Sequence, residues 1–349
     1  MAEIIKRVPI ARPVQRDRLS WHQFSVDPAR YDRMAYRNCG KWGLKLPAIS
    51  LGAWETFGGY RGAEITRECI FRAFNLGITH FDLANNYGRP PGQAEIFLGR
   101  VFREMPREEL IISTKAGSSM WPGPYGEGGS RKHLLNSIDQ SLQRLELSYV
   151  DIFYSNWPDP DTPWEETLAA LDQIVREGKA LYVGLSNHSG KELEEAYRAT
   201  RKLHLRPLII HQASYNLLQR EIEKGLLTVA RHTGTGLIVS SPLLEGLLST
   251  KYLEGFPEES RGAKAWTDKQ RARVTPTLKE KIRALNEIAK GRGQTLPQMA
   301  IAWVLRRPEI TSALIGASDV EQIEENVKAL DNLQFSAEEL RLIDEALAD

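Results

Sequence analysis

At 349 residues the chain is long enough for two average domains or one large (β/α)8 barrel, and length alone does not choose between them. Its 42% hydrophobic and 26% charged residues exclude global disorder, and 46 basic against 45 acidic side chains, a net charge of +1, argue against nucleic acid or an anionic membrane as the partner. The two cysteines, Cys39 and Cys69, lie outside any CxxC pair, which argues against a disulfide framework or a thiolate zinc site and fits a reducing, cytoplasmic compartment.

Residues 1–33 read as an N-terminal extension, packed on the rest or loose in solvent. Lys6, Arg7, Arg12, Arg16 and Arg18 are interleaved with Pro9 and Pro13, without the apolar run of a secretory signal. No later window approaches the roughly 20 apolar residues of a spanning helix. Met34–Tyr36 and Leu46–Pro47 flank a turn at Gly40 and Gly43 and predict a hairpin plugging a barrel floor.

From about residue 48 short apolar runs alternate with amphipathic stretches. The predicted strands are Ile49–Leu51, His80–Leu83, Leu110–Thr114, Val150–Tyr154, Leu181–Leu185, Leu208–His211, Gly236–Val239 and Ala313–Ile315. Helices are predicted to begin near Glu64, Ala94, Ser130, Trp164, Lys191, Leu226, Leu278 and Val320, with a last one over Ala337–Leu347 outside the ring. Eight βα units with no GxGxxG turn after the first strand point to an α/β fold of the (β/α)8 TIM barrel type, one domain over 34–349, rather than a doubly wound sheet. Two connections exceed what βα turns need, Ala116–Gly129 and Ser241–Thr275. Long loops at strand C-termini are where barrels handle ligands.

Polar residues at those ends are the candidate catalysts. Asp82 ends the second strand with Tyr87 on the loop above it, Lys115 tips the third, and Asn156 ends the fourth. An ammonium beside a phenol favours phenolate, so Lys115 is expected to bring Tyr87 below its usual pKa of about 10, with Asp82 holding the lysine charged and in place. That is a proton donor with its tuning groups. No HExxH or other metal spacing occurs, and no metal is expected. Trp121, Tyr125, Trp157 and Trp164 lie in loops after strands three and four, where aromatics wall a pocket or pack a loop; Trp121 and Trp157 are candidates to touch substrate.

At GITHFDLANNYG (77–88), STKAG (113–117), YVDIFYSN (149–156), GKALYVGLSN (178–187), HQASYN (211–216) and LIGASDVEQIEENV (314–327) the sequence resembles the aldo-keto reductases, in barrel order, from about residue 34 to the end. Within them it is similar to bacterial glyceraldehyde-3-phosphate reductases and to β subunits of voltage-gated potassium channels, partly through WPGPYG and GGSRK. The resemblance implies NADPH-dependent reduction of small aldehydes or ketones, phosphorylated trioses or methylglyoxal-like compounds among them, and a homo-oligomer, tetramer or octamer. It maps the family's Asp, Tyr and Lys to Asp82, Tyr87 and Lys115, and its histidine to Asn156, as in the channel subunits. An asparagine amide donates a hydrogen bond to a carbonyl but does not titrate. His188 is the sequence neighbour that could replace the histidine.

The cofactor positions that the resemblance implies are Ala53, Trp54 and Asp82, then Ser186, Asn187 and Gln212 for the carboxamide. Ser240 stands where relatives stack an aromatic on the nicotinamide, a loss on the order of 1 kcal/mol. Ser241, Pro242, Leu243 and Gly246 fall beneath the pyrophosphate, and Lys251 and Arg261 match receivers of the 2′-phosphate. Gly316, Ser318, Gln322, Glu325 and Asn326 surround the adenosine end, at a helix N-terminus suited to phosphate. The rival implication, from the channel subunits, is an NADP(H)-binding accessory subunit with little turnover. A non-redox barrel would require these matches to be coincidence.

Overall fold

A computed structural model of the chain describes residues 25–60 and 62–348; most of the extension, residues 1–24, lies outside the described residues. Residues 25–33 dock on the barrel. The Ser25 carbonyl accepts from Asn75, the Asp27 amide donates to the Asn75 side chain at 2.9 Å, and Arg30 and Tyr31 both bond Glu109. The hairpin forms as β1 (Tyr36–Asn38) and β2 (Lys45–Pro47), antiparallel.

The next eight strands are parallel and close on themselves: β3 (Ile49–Gly52), β4 (His80–Asp82), β5 (Ile111–Ala116), β6 (Val150–Ser155), β7 (Ala180–Ser186), β8 (Ile210–Ser214), β9 (Gly236–Ser240) and β10 (Ile310–Ile315), with β10 pairing β3. All eight sit where the apolar runs predict them. β8 begins two residues late because Leu208 and Ile209 are spent on the approach, the Ile209 amide already donating to Val183. The chain is thus a (β/α)8 TIM barrel with the predicted hairpin at one end. Among the described residues no helix is long and apolar enough to cross a membrane.

The hairpin closes the floor. Cys39 and Leu46 pack with Ile152, Tyr154, Ile210, Ile238 and Leu314 of the barrel interior, and the Lys41 amide bonds the Gly234 carbonyl. On the opposite wall of the lumen the filling is polar: Ser312, Ser50, His80, Ser113 and Asp82 form a chain with links of 2.6–2.9 Å. Burial lowers the His80 pKa to about 4, so the ring is neutral, donating at one nitrogen and accepting at the other. Gly184 of β7 lets β8 approach. A Cβ there would lie 2.3 Å from the Ile210 carbonyl oxygen and 3.0 Å from the Tyr154 ring. Backbone cannot yield as a side chain does, so Gly184→Ala is expected to lower stability by about 1–3 kcal/mol, read as a lower midpoint in thermal unfolding; an unchanged midpoint would refute this packing.

The outer ring comprises α1 (Ala63–Asn75), α2 (Gln93–Phe102), α3 (Arg131–Leu145), α4 (Trp164–Arg176), α5 (Gly190–Lys202) and α6 (Leu226–Thr233). Between β9 and β10 the long connection holds two four-residue helices, α7 (Arg261–Lys264) and α8 (Asp268–Arg271), then α9 (Pro276–Gly291) and α10 (Leu296–Leu305). After β10 come α11 (Val320–Val327) and α12 (Ala337–Leu347), the latter packed on α9 with Lys281 bonding the Leu347 carbonyl at 3.0 Å. The sequence reading missed α10. Nine of its ten residues are buried, so it lacks the amphipathic stripe that marks the others.

Candidate active site

Asp82 and Lys115 end adjacent strands with side chains pointing into the lumen, both fully buried. Lys115 Nζ bonds Asp82 Oδ2 and the Leu83 carbonyl, the latter at 2.7 Å. Asp82 Oδ1 accepts from Ser113 Oγ at 2.6 Å and Gln212 Nε2 at 3.2 Å, so the carboxylate is held from two other strands, β5 and β8. The lysine ammonium lies 5.2 Å from the centroid of the Tyr87 ring and 5.8 Å from that of Tyr154. Tyr87 is fixed by its own backbone: its amide donates to the Ala84 carbonyl, and its carbonyl receives the amides of Gly92 and Ala94 at the start of α2.

The electrostatics correct one expectation. Burial opposes a charge on Lys115 but is outweighed by Asp82 and Tyr87, and its pKa is raised, as a fixed ammonium requires. The Tyr87 phenol also moves up, not down. Burial raises it most, Lys115 counters by charge and by a hydrogen bond, and Asp82 adds to the rise. The sequence argument weighed the cation and omitted desolvation and the carboxylate behind it. Tyr87 is therefore a neutral phenol, protonated and able to donate.

These groups line one cavity of about 1080 Å³ at the strand C-termini, together with Asn156. Asn156 donates to Ser118 Oγ at 3.3 Å, and its Oδ1 and backbone carbonyl both accept from Asn187, at 3.2 and 2.9 Å. Among the described residues its second amide proton has no partner. His188 does not replace the missing histidine: it is buried, bonded to the Ser186 carbonyl at 2.8 Å and packed on Trp164, with its pKa lowered by burial. Trp157 lines the cavity, its indole N–H on Ser118 at 3.2 Å, whereas Trp121 lies against His133 outside it.

Most of the other sequence-derived positions meet in the same cavity: Trp54, Asn187, Gln212, Ser240, Ser241, Pro242, Leu243, Gly246, Lys251, Arg261, Gly316, Ser318, Gln322, Glu325 and Asn326. Two stand behind its wall. Ala53 and Ser186 are buried, the former through its amide on Asp82 and the latter through its hydroxyl beneath Asn187. Ser240 lines the wall beside Ser214, its register partner on β8, and next to Ser241 in the chain. The N-terminus of α11 is capped from within, Asp319 accepting from the Gln322 amide at 2.9 Å.

Sequence reasoning missed a strip of wall. Asn286 and Lys290 of α9, and Gln294, Thr295, Leu296 and Pro297 leading into α10, face the cavity, as does Glu245. The readable signal was the capping box of Thr295 and Gln298. Glu245 lies inside the predicted ligand loop Ser241–Thr275, but no motif singled it out.

Comparison with known proteins agrees with this geometry. The model of the aldo/keto reductase family matches residues 48–348. The chain is 53% identical over 332 residues to the L-glyceraldehyde 3-phosphate reductases of Escherichia coli O157:H7 and K12, covering 93% of this chain and 95% of each relative. It is 39% identical over 325 residues to a Schizosaccharomyces pombe protein named "Putative voltage-gated potassium channel subunit beta", covering 89% of this chain and 93% of that one. A closed barrel with a buried Asp–Lys pair beside a tyrosine, matched over nearly its whole length, makes this chain an oxidoreductase of the aldo/keto reductase family.

Proposed function

We propose that this chain is a cytoplasmic reductase of small aldehydes or ketones, phosphorylated trioses among them, with NADPH as its cofactor and Tyr87 as its proton donor. The observation that carries the reading is the Tyr87–Lys115–Asp82 cluster opening into a cavity large enough for a dinucleotide and a small substrate. The residues present suit such a ligand. Arg261 Nε and Asn86 Oδ1 are buried polar atoms without hydrogen-bond partners among the described residues, one a cationic donor and one an acceptor, and both residues line the cavity. Ser186, Asn187 and Gln212 would hold the carboxamide, Ser241, Pro242, Leu243 and Gly246 the pyrophosphate, Lys251 and Arg261 the 2′-phosphate, and Gly316, Ser318, Gln322, Glu325 and Asn326 the adenosine end.

NADPH, when bound, supplies the hydride that reduces the carbonyl carbon. Tyr87 gives its proton to the carbonyl oxygen, and Lys115 stabilises the phenolate left behind. Asp82 keeps Lys115 charged and aimed. Asn156 directs its remaining amide proton at the carbonyl oxygen, orienting it. The test is NADPH absorbance with purified protein across a panel of aldehydes and ketones, glyceraldehyde 3-phosphate included. Carbonyl-dependent oxidation is expected, and its absence across the panel would sink the proposal.

A second reading is favoured by one feature, the non-titrating Asn156, together with the relative named as a channel subunit. It is a dinucleotide-holding accessory protein of low turnover. A rate below about one per minute with every carbonyl, against typical values of 1–10³ s⁻¹, would favour it.

A further inference from the structure

We propose that Glu245 sets how strongly this cavity prefers a ligand bearing a phosphate monoester, by competing with that phosphate for Arg261. The proposal rests on the reading that the cavity takes a nicotinamide dinucleotide. Beyond the Asp82–Lys115 pair, the charged wall residues among those described are Lys251, Arg261 and Lys290 against Glu245, Glu321 and Glu325. A polyanion therefore enters a wall without net charge, and what each cation already holds decides its welcome.

Arg261 is the prepared one. Its side chain is 17% exposed, and its guanidinium stacks 4.3 Å above the Trp54 ring. Its only ion pair among the described residues is a loose one, Nη2 to Glu245 Oε2 at 4.0 Å, while Nε is buried without a partner. The guanidinium lies over an aromatic face with its Nε unpartnered among the described residues, an arrangement suited to a phosphate.

Glu245 is anchored independently of Arg261. Oε1 pairs with Arg273 at 2.9 Å, and Oε2 accepts from Gln270 at 3.3 Å. The carboxylate therefore stays when Arg261 turns to an incoming anion, and it repels that anion across a short gap. Its backbone is in the left-handed region at φ 60°, as are Ser241 at 55° and Leu244 at 47°. Three non-glycine residues held there within one short turn mark a loop whose shape is fixed at a conformational cost.

The shared chemistry is a phosphate monoester, and its source is either the 2′-phosphate of the dinucleotide or the phosphate of a triose. Glu245→Gln keeps an acceptor for Gln270 and removes the charge. Equilibrium binding of NADP+ and NAD+ to the full chain, followed by tryptophan fluorescence, is compared between wild type and variant. KM values for glyceraldehyde 3-phosphate and glyceraldehyde form the second arm. The variant is expected to bind the phosphorylated ligand about fivefold more tightly and its unphosphorylated counterpart within about twofold. A shift in the NADP+/NAD+ ratio assigns the site to the dinucleotide, and a shift in the triose ratio assigns it to the substrate. Arg261→Gln should abolish the wild-type preference in the same arm, and Glu245→Ala, read by the same ratios, keeps the proposal testable if Glu245→Gln unfolds. Unchanged ratios with intact wild-type NADP+ binding would overturn the proposal alone; failure of wild type to bind either dinucleotide would overturn it and the cofactor reading together.

Discussion

Replacing Tyr87 with phenylalanine is expected to lower kcat for carbonyl reduction by about 10²–10⁴-fold while leaving dinucleotide affinity within about twofold. The ring and its packing survive the change, and the Tyr87 backbone, which anchors the start of α2, is untouched. Only the donor is lost. Because the phenol pKa is raised by burial against the pull of Lys115, the wild-type donor is protonated throughout the neutral range. Its protonation favours the folded state, fully so below the unfolded pKa of about 10, and that contribution is lost as pH rises through the higher folded value. Activity should therefore show no loss from Tyr87 ionisation between roughly pH 6 and 9. Steady-state kinetics with a dinucleotide titration checks both halves, and a Tyr87→Phe enzyme that retains wild-type kcat would refute the assignment.

Asp82→Asn is expected to be the costliest single change to stability in the site, about 3–5 kcal/mol. The pair is fully buried, so removing the carboxylate strands an ammonium whose remaining partners are the Leu83 carbonyl and the Tyr87 hydroxyl, neither of them charged. Lys115 then loses the first of the two groups that outweigh its desolvation, and its pKa should fall. In the wild type the raised lysine pKa contributes stability at pH values below the unfolded pKa, and this is lost only in alkali as pH rises through the folded value. Denaturant unfolding at neutral pH measures the effect. Activity should fall with it, because an uncharged lysine no longer stabilises the phenolate. A variant of undiminished stability would mean that the pair is solvated in solution.

Much of this was legible in the sequence because it follows from periodicity and residue chemistry. The barrel strands are short apolar runs bounded by turns, and Asp82, Lys115 and Asn156 fall at their ends, where a barrel gathers its chemistry. The hairpin was readable from Gly40, whose φ of 56° and approach to the Gly234 backbone leave no room for a side chain. What escaped was everything set by tertiary surroundings. α10 is apolar on all sides, so its burial erased the pattern that would have revealed it. The direction of the Tyr87 shift depends on desolvation, which no spacing encodes. The pairing of Glu245 with both Arg261 and Arg273 joins residues from separate turns of one long loop, and only the folded loop brings them together.

The most direct test of the central claim is a crystal structure of the chain soaked with NADP+. The account predicts a nicotinamide ring at the barrel mouth, its C4 facing the space beside the Tyr87 hydroxyl, and the phosphate-bearing ribose near Arg261. A dinucleotide bound elsewhere, or a ring facing away from Tyr87, would contradict it.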